Sequence, residues 1–233
     1  MLAYEDPGVA LRDKRKLIRQ AIKTARSLDG LRALQQQLLL SLAGDQQEIL
    51  HRADYTLPCR AGCSYCCHLR VEAFGHEILL LHQAITGIQD ASQRQAIEQR
   101  LRANAQRIAA ISADEHVVTN IPCALLVDDR CSLHPIRPLT CARYHSTDLA
   151  ACQRAHEDPV EHGDHRPIIP EVDLQGDVLI QAMTDALKQA RLDHRRYELN
   201  TALARLLDEP DLIGRWRQGK PLLPTTRGGT ETA

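Results

Sequence analysis

The stretch Cys59–Cys67, "CRAGCSYCC", puts four cysteines into nine residues. The other four, Cys123, Cys131, Cys141 and Cys152, complete a set of eight that lies wholly between Cys59 and Cys152. The flanking segments contain none. Cysteines used only as small buried hydrophobes would be scattered, so this clustering says that they act together. Thiolates are soft donors that suit zinc and iron–sulfur clusters. Four of them close a tetrahedral zinc site or hold a cubane cluster. Eight can make two such sites, or one site and a set of redox-active thiols.

This reading decides the fold because it governs the middle of the chain. From "TNIPC" to "HRPIIPEV" the sequence is rich in Pro, Cys and His and has poor periodicity. That is about 50 residues of expected irregular structure, which a compact domain tolerates only when something ties it down. Irregular backbone costs about 1–2 kcal/mol per ordered residue, and structural zinc contributes on the order of 10 kcal/mol. A metal therefore answers the physical problem of the centre. Cys59, Cys63, Cys66 and Cys67 would share one face if helical. Pro58 and Gly62 support a tight loop or single turn equally well. In an extended stretch Cys66 and Cys67 would point to opposite sides. One loop could then serve two metals, or one metal and a free thiol.

Around this centre the patterns are helical. Leu11, Ile18, Ile22 and Ala25 share a stripe, so residues 9–28 read as an amphipathic helix stopped by Asp29-Gly30. Leu31, Leu34, Leu38 and Leu42 begin a second helix running toward Leu50. "HLRVEAF" alternates as a short extended piece. Ile78, Leu81, Ile85 and Ile88 mark a third helix, and Ile97, Leu101, Ala105, Ile108 and Ile111 a long fourth. The pattern returns with Leu179, Met183, Ala186 and Ala190, then with Leu199, Leu203 and Leu206, and a short last helix falls near Leu212–Trp216. The expected class is mostly α, with helices around an irregular, metal-tied cysteine-rich centre. Its stretches are N-terminal helices over 1–55, the metal-binding region over 56–170, C-terminal helices packing on it over 171–217, and a disordered tail over 218–233, in one compact domain.

Composition excludes several classes of function. The 43% hydrophobic and 25% charged contents are ordinary globular values. The formal net charge of -1 gives no overall attraction to nucleic acid or acidic membranes. With one Phe, one Trp and five Tyr, base-stacking platforms are not expected, and neither is a nucleic acid partner. No window approaches 18 consecutive apolar residues, so no membrane span is expected. The opening "MLAYEDPGVALRDKRK" lacks the basic-then-apolar order of a secretory signal. The expected compartment is the reducing cytosol, where structural disulfides are rare.

Other residues carry weaker signals. His68, His134 and His145 sit beside cysteines as candidate ligands or supporting donors, with ordinary packing the better-supported role. "EHGDHRP", Glu161 to Pro167, reads as a polar surface loop, and Tyr144 as packing. Arg137 either offsets thiolate charge or grips an anionic ligand, or else ties loop carbonyls while Pro138 fixes the turn. Arg12, Lys14, Arg15, Lys16, Arg19, Lys23 and Arg26 make the first helix basic, most simply as a solvated face. No Gly-rich phosphate loop, nucleophile elbow or paired-carboxylate motif occurs.

"CRAGCSYCC", then "PCALLVDDRCSLHPIRPLTCARYHS", then Cys152 resembles the zinc- or iron-chelating cysteine-cluster family, the YkgJ-like proteins. That family's pattern is C-x2/3-C-x2-C-C followed by C-x-L-L, C-x-I-Y-x-x-R-P-x-x-C-R. "HLRVEAFGHEILLL" resembles its following strand-to-helix segment. His134 stands where the family often has Tyr, and Ala142 where Arg usually follows the cysteine. The resemblance implies a small α-rich metal-tied domain. It extends distantly to flagellin lysine methylases, in which an iron–sulfur cluster is suspected. Cys59, Cys63, Ser64, Tyr65 and Cys66 also fit the radical S-adenosylmethionine signature C-x3-C-x-aromatic-C. Those enzymes are built on a β/α barrel, and this sequence shows no series of strands to make one.

The reading that follows is a metal-binding protein with all eight cysteines as ligands and Arg137 as a cofactor contact. A 4Fe–4S cluster is slightly favoured over zinc. One alternative is an iron–sulfur enzyme, doing redox chemistry or methyl transfer to protein lysine with S-adenosylmethionine. Another is a structural-zinc sensor or interaction module with a protein partner.

Overall fold

The computed structural model describes residues 7–24, 27–163, 166–209 and 212–223. Ala25 of the first helical stripe, Asp164 and His165 of the polar loop, and residues 224–233 lie outside them.

The first helix, α1 (Pro7–Thr24), buries Ile18 and Ile22. The second, α2 (Leu28–Arg52), opens on a Ser27 cap whose hydroxyl accepts the Gly30 N–H at 3.1 Å. Asp29-Gly30 therefore lies in the first turn of α2 rather than ending α1. Ser27 satisfies an N–H of that turn, and Asp29 suits its positive end. Along α2 the buried face is Leu31, Leu34, Gln35, Leu38, Leu39 and Leu42. Helical spacing makes this one stripe, in which Gln35 is the polar exception.

Strand β1 (Glu72–Phe74) runs into α3 (Gly75–Thr86). The expected extended piece thus forms, and the third helix stops at Thr86, short of Ile88. Every residue from Gly75 to Leu81 is buried, so α3 forms the centre of the core. Asp90 caps α4 (Ala91–Ala109) by accepting the Ser92 and Gln93 N–H groups at 2.8 and 3.1 Å, and α5 (Ala113–Val117) follows.

The region expected to be irregular contains local order. Strands β2 (Leu126–Val127) and β3 (Arg130–Cys131) form a hairpin, with Leu126 opposite Cys131. Its two-residue turn, Asp128 and Asp129, is left-handed at both positions (φ 48° and 58°), the twist that joins short strands. Two short helices follow, α6 (Leu139–Arg143) and α7 (Leu149–Glu157), the latter capped by Asp148. Such caps and turns leave no hydrophobic period, so periodicity does not reveal these elements.

The C-terminal part holds α8 (Pro170–Gln189), β4 (Arg196–Glu198), α9 (Leu199–Asp208) and α10 (Leu212–Arg217). Helices α1, α2 and α6 pack on α8, and α4 packs on α9. Strand β4, absent from the sequence reading, pairs antiparallel with β1, Ala73 opposite Tyr197. The expected disordered tail does not hold for its first residues. Leu222 is fully buried, and its N–H donates to the buried Asp193 carboxylate at 2.8 Å. Helices dominate the described residues, whose strands form only two-stranded ribbons. No described helix is long and apolar enough to cross a membrane.

Candidate metal centre

The first cysteine cluster is a turn, not a helical face. Gly62 adopts φ 89°, a conformation that disfavours side-chain-bearing residues. The Cys63 N–H donates to Arg60 O at 3.0 Å. Tyr65–His68 then forms a single 3-10 turn, in which the Cys67 N–H donates to Ser64 O at 2.8 Å. This winding keeps the Cys66 and Cys67 thiols near enough to raise the Cys66 pKa, where an extended strand would have pointed them apart.

The second cluster divides in space. Cys123 is tied to the first loop, its N–H donating to Cys67 O at 2.8 Å. Cys131 sits on β3 and Cys141 on α6. Cys152 instead lies on α7, which packs on the Tyr65–His68 turn. It lines a cavity of about 20 Å³ together with Cys66, Tyr65, Tyr144, His156 and Arg166. Cys59 donates weakly to Ser146 O (3.8 Å), just ahead of that helix.

All eight cysteines are free thiols, with Cys59 exposed and the others half-buried. Burial pushes Cys59, Cys63, Cys131 and Cys141 up, and Cys123 up to about 12. For Cys66 the contact with the Cys67 thiol is the larger cause and burial the next. Neighbouring thiols add to this: Cys66 acts on Cys59 and Cys63, and also on Cys131 and Cys141. At neutral pH the six thiols so raised are protonated. A soft cation that replaces those protons meets a donor set of fitting kind and number. Among the described residues no three His, Cys, Asp or Glu side chains stand close enough to hold a metal ion as they are.

Two arginines supply positive charge. Arg137 faces Cys141 and Cys131, and its Nη1 donates to His134 O at 3.0 Å and contacts His134 Nδ1 at 3.1 Å. Arg137 thus ties a loop carbonyl in this structure while its guanidinium stands near two of the cysteines. Arg166 faces Cys59 and Cys66 and stacks on Tyr144, 3.7 Å above the ring centre. His145 has both ring nitrogens engaged: Nε2 accepts from the Ile169 N–H at 3.0 Å, so Nδ1 is the donor to Arg143 O at 3.2 Å. It is a structural tie. His68 contacts Ser64 O through Nδ1 and packs edge-on against His156.

Residues 58–161 match the CxxCxxCC family model, described as a "Putative zinc- or iron-chelating domain". The match covers just under half of the chain and takes in every cysteine. Metal chelation is the chemistry that the family description assigns to it. No curated protein and no solved structure matches the chain.

The matched region is held by polar groups that the sequence pattern did not single out. Glu77, buried in α3, accepts three hydrogen bonds. Its Oε1 takes them from Gln35 Nε2 (3.0 Å) and Leu139 N (2.8 Å), and its Oε2 from Phe74 N (2.9 Å). Gln35 Nε2 also donates to Arg137 O at 2.9 Å. The two side chains thus pin both flanks of Pro138, and with it the start of the helix carrying Cys141. On the other side of the domain, Asn200 Oδ1 accepts the Ala124 N–H at 3.1 Å. Asn104 Nδ2 bonds Pro122 O at 2.7 Å and Asn200 Oδ1 at 3.1 Å. Cys123 is thereby fixed from both sides by helices α4 and α9. Gln35 and Asn200 lie outside the matched residues. The only sequence signal for either was a polar residue on an otherwise apolar helical face.

Proposed function

We propose that this protein is a cytosolic metalloprotein whose eight cysteines, Cys59, Cys63, Cys66, Cys67, Cys123, Cys131, Cys141 and Cys152, hold an iron–sulfur centre. Zinc is the other metal that the donor set suits. The observation that carries the reading is the gathering of free, mostly half-buried thiols from distant parts of the chain beside two arginines. The all-thiol character supports iron–sulfur, since His145 has both ring nitrogens engaged and His134 faces Arg137. The spacing C-x3-C-x-aromatic-C supports it as well.

When bound, such a centre supplies one-electron transfer at a potential set by its surroundings. The chain's own residues do the rest. Arg137 and Arg166 offset the charge of the thiolates. Glu77 and Gln35 orient the segment from Arg137 to Cys141, and Asn200 orients Cys123. The methyl-transfer alternative calls for an S-adenosylmethionine pocket beside Cys59–Cys67. The cavity next to Cys66 and Cys152 measures about 20 Å³, room for about one water molecule. That favours a centre closed by protein ligands over one open to a large cosubstrate.

The test is anaerobic purification with iron, zinc and acid-labile sulfide quantified per chain. Iron matched by sulfide, with absorbance near ~400 nm, is the expected result. Colourless protein holding zinc would assign the cysteines to a structural zinc role. Protein without either metal, even after reconstitution, would overturn the proposal.

A further inference from the structure

Sequence order groups Cys123, Cys131, Cys141 and Cys152 together, but the fold separates Cys152 from the other three. Three observations define one neighbourhood. Cys66 and Cys152 line the same cavity. The Cys59 thiol contacts Ser146 O, two residues before the Asp148 cap of the helix carrying Cys152. Cys63 lies within electrostatic reach of Cys59, Cys66 and Cys152. The remaining thiols define a second neighbourhood. Cys67 is bonded through its carbonyl to the Cys123 N–H. Cys123 and Cys131 act on Cys141, and Arg137 faces both Cys131 and Cys141. Each neighbourhood also has its own guanidinium, Arg166 in the first and Arg137 in the second.

We infer that the chain carries two adjoining four-thiol metal sites, one of Cys59, Cys63, Cys66 and Cys152 and one of Cys67, Cys123, Cys131 and Cys141. They meet at the Cys66–Cys67 peptide. This rests on the proposal that the cysteines bind metal, and adds how they divide. Four thiols per site is the number that closes a tetrahedral zinc site or fills a cubane's ligand set. The junction is short because Cys66 and Cys67 are consecutive residues of one 3-10 turn, and the second of them is bonded to Cys123. The Cys66 charge reaches both sets, so a metal in one site is felt by the other. Each metal ion that binds displaces the protons of its thiols, and no electron transfer is involved.

The test uses zinc as probe, on the full chain, with native mass spectrometry counting bound ions. The unmutated chain is expected to hold two. Cys152→Ser and Cys141→Ser are each expected to hold one, and the double variant none. A double variant that still holds one zinc would put both cysteines in one site and overturn the division. An unmutated chain that saturates at one zinc would overturn it too. An unmutated chain that binds neither zinc nor iron would instead sink the underlying proposal, and is read first. Because a single substitution could prevent folding, cobalt(II) titration of the unmutated chain gives a second reading. Thiolate-to-cobalt absorbance rising to two equivalents supports two sites, and saturation at one equivalent contradicts them.

Discussion

The Glu77 carboxylate accepts the Leu139 backbone N–H at 2.8 Å, across 62 residues of sequence. This bond joins the central helix α3 to the start of α6, two residues before Cys141. Burial pushes the carboxyl up, and its hydrogen bonds from Leu139, Phe74 and Gln35 oppose that rise. Glu77→Ala leaves the buried Leu139 and Phe74 N–H groups without an acceptor, while Gln35 Nε2 keeps its bond to Arg137 O. Each unsatisfied buried group costs about 1–3 kcal/mol, so a loss of at least about 2 kcal/mol is expected in urea unfolding. A variant as stable as the unmutated chain would remove Glu77 from the support of the centre.

Asn200 performs the matching task for Cys123. Asn200→Ala removes the acceptor of the Ala124 N–H and is expected to cost about 1–3 kcal/mol. The effect should also be local. Hydrogen exchange of the amides from Cys123 to Leu126 is expected to speed up more than that of α8. Uniform acceleration along the chain would show that Asn200 supports the fold in general rather than this segment.

Gly176 lets α6 approach α8. A Cβ there would overlap the Cβ of Arg143, whose guanidinium pairs with Asp173 at 3.2 Å and with Asp177. Neither backbone can yield without parting the helices. Gly176→Ala is expected to lower stability by about 1–3 kcal/mol, despite the better helix propensity of Ala. A rise in melting temperature would contradict this packing.

The metal-free protein should be most stable in a middle pH window. Burial pushes thiols up, Cys123 to about 12, so the folded chain holds those protons more tightly than the unfolded one. Stability from this source is full below the ordinary thiol value of about 8.5 and is lost as pH rises through the folded values. Burial alone pushes His76, stacked on Phe74 and tilted against Trp216, down to about 3. Its contribution is full above about 6.5 and is lost as pH falls toward that lower value. The urea midpoint should therefore fall on both sides of roughly pH 6.5–8.5. Metal affinity has the opposite alkaline slope, since binding releases thiol protons. A midpoint that climbs steadily from pH 8 to 10 without metal would contradict the buried-thiol account.

Much of the scaffold was legible because its helices carry long apolar periods. Leu31, Leu34, Leu38 and Leu42 are a stripe, and they are buried as a stripe. The cysteine centre was legible through residue density. What escaped was made by single polar contacts. Ser27 turned an apparent stop into a helix start, and Asp128-Asp129 built a hairpin where no alternation exists. Strand β4 is three residues long and pairs with a strand far away in sequence, so nothing local announces it. The regrouping of Cys152 has the same origin. Spacing along the chain cannot show which face of which short helix turns toward the first loop.

The most direct measurement is X-ray absorption at the edge of the metal carried by the anaerobically purified full chain. Ligation by cysteines predicts a first shell of sulfur alone, at about 2.3 Å for zinc. An iron–sulfur centre predicts sulfur neighbours together with iron–iron scattering. A first shell dominated by nitrogen or oxygen would contradict the account, because the metal would then be held by something other than the eight thiols.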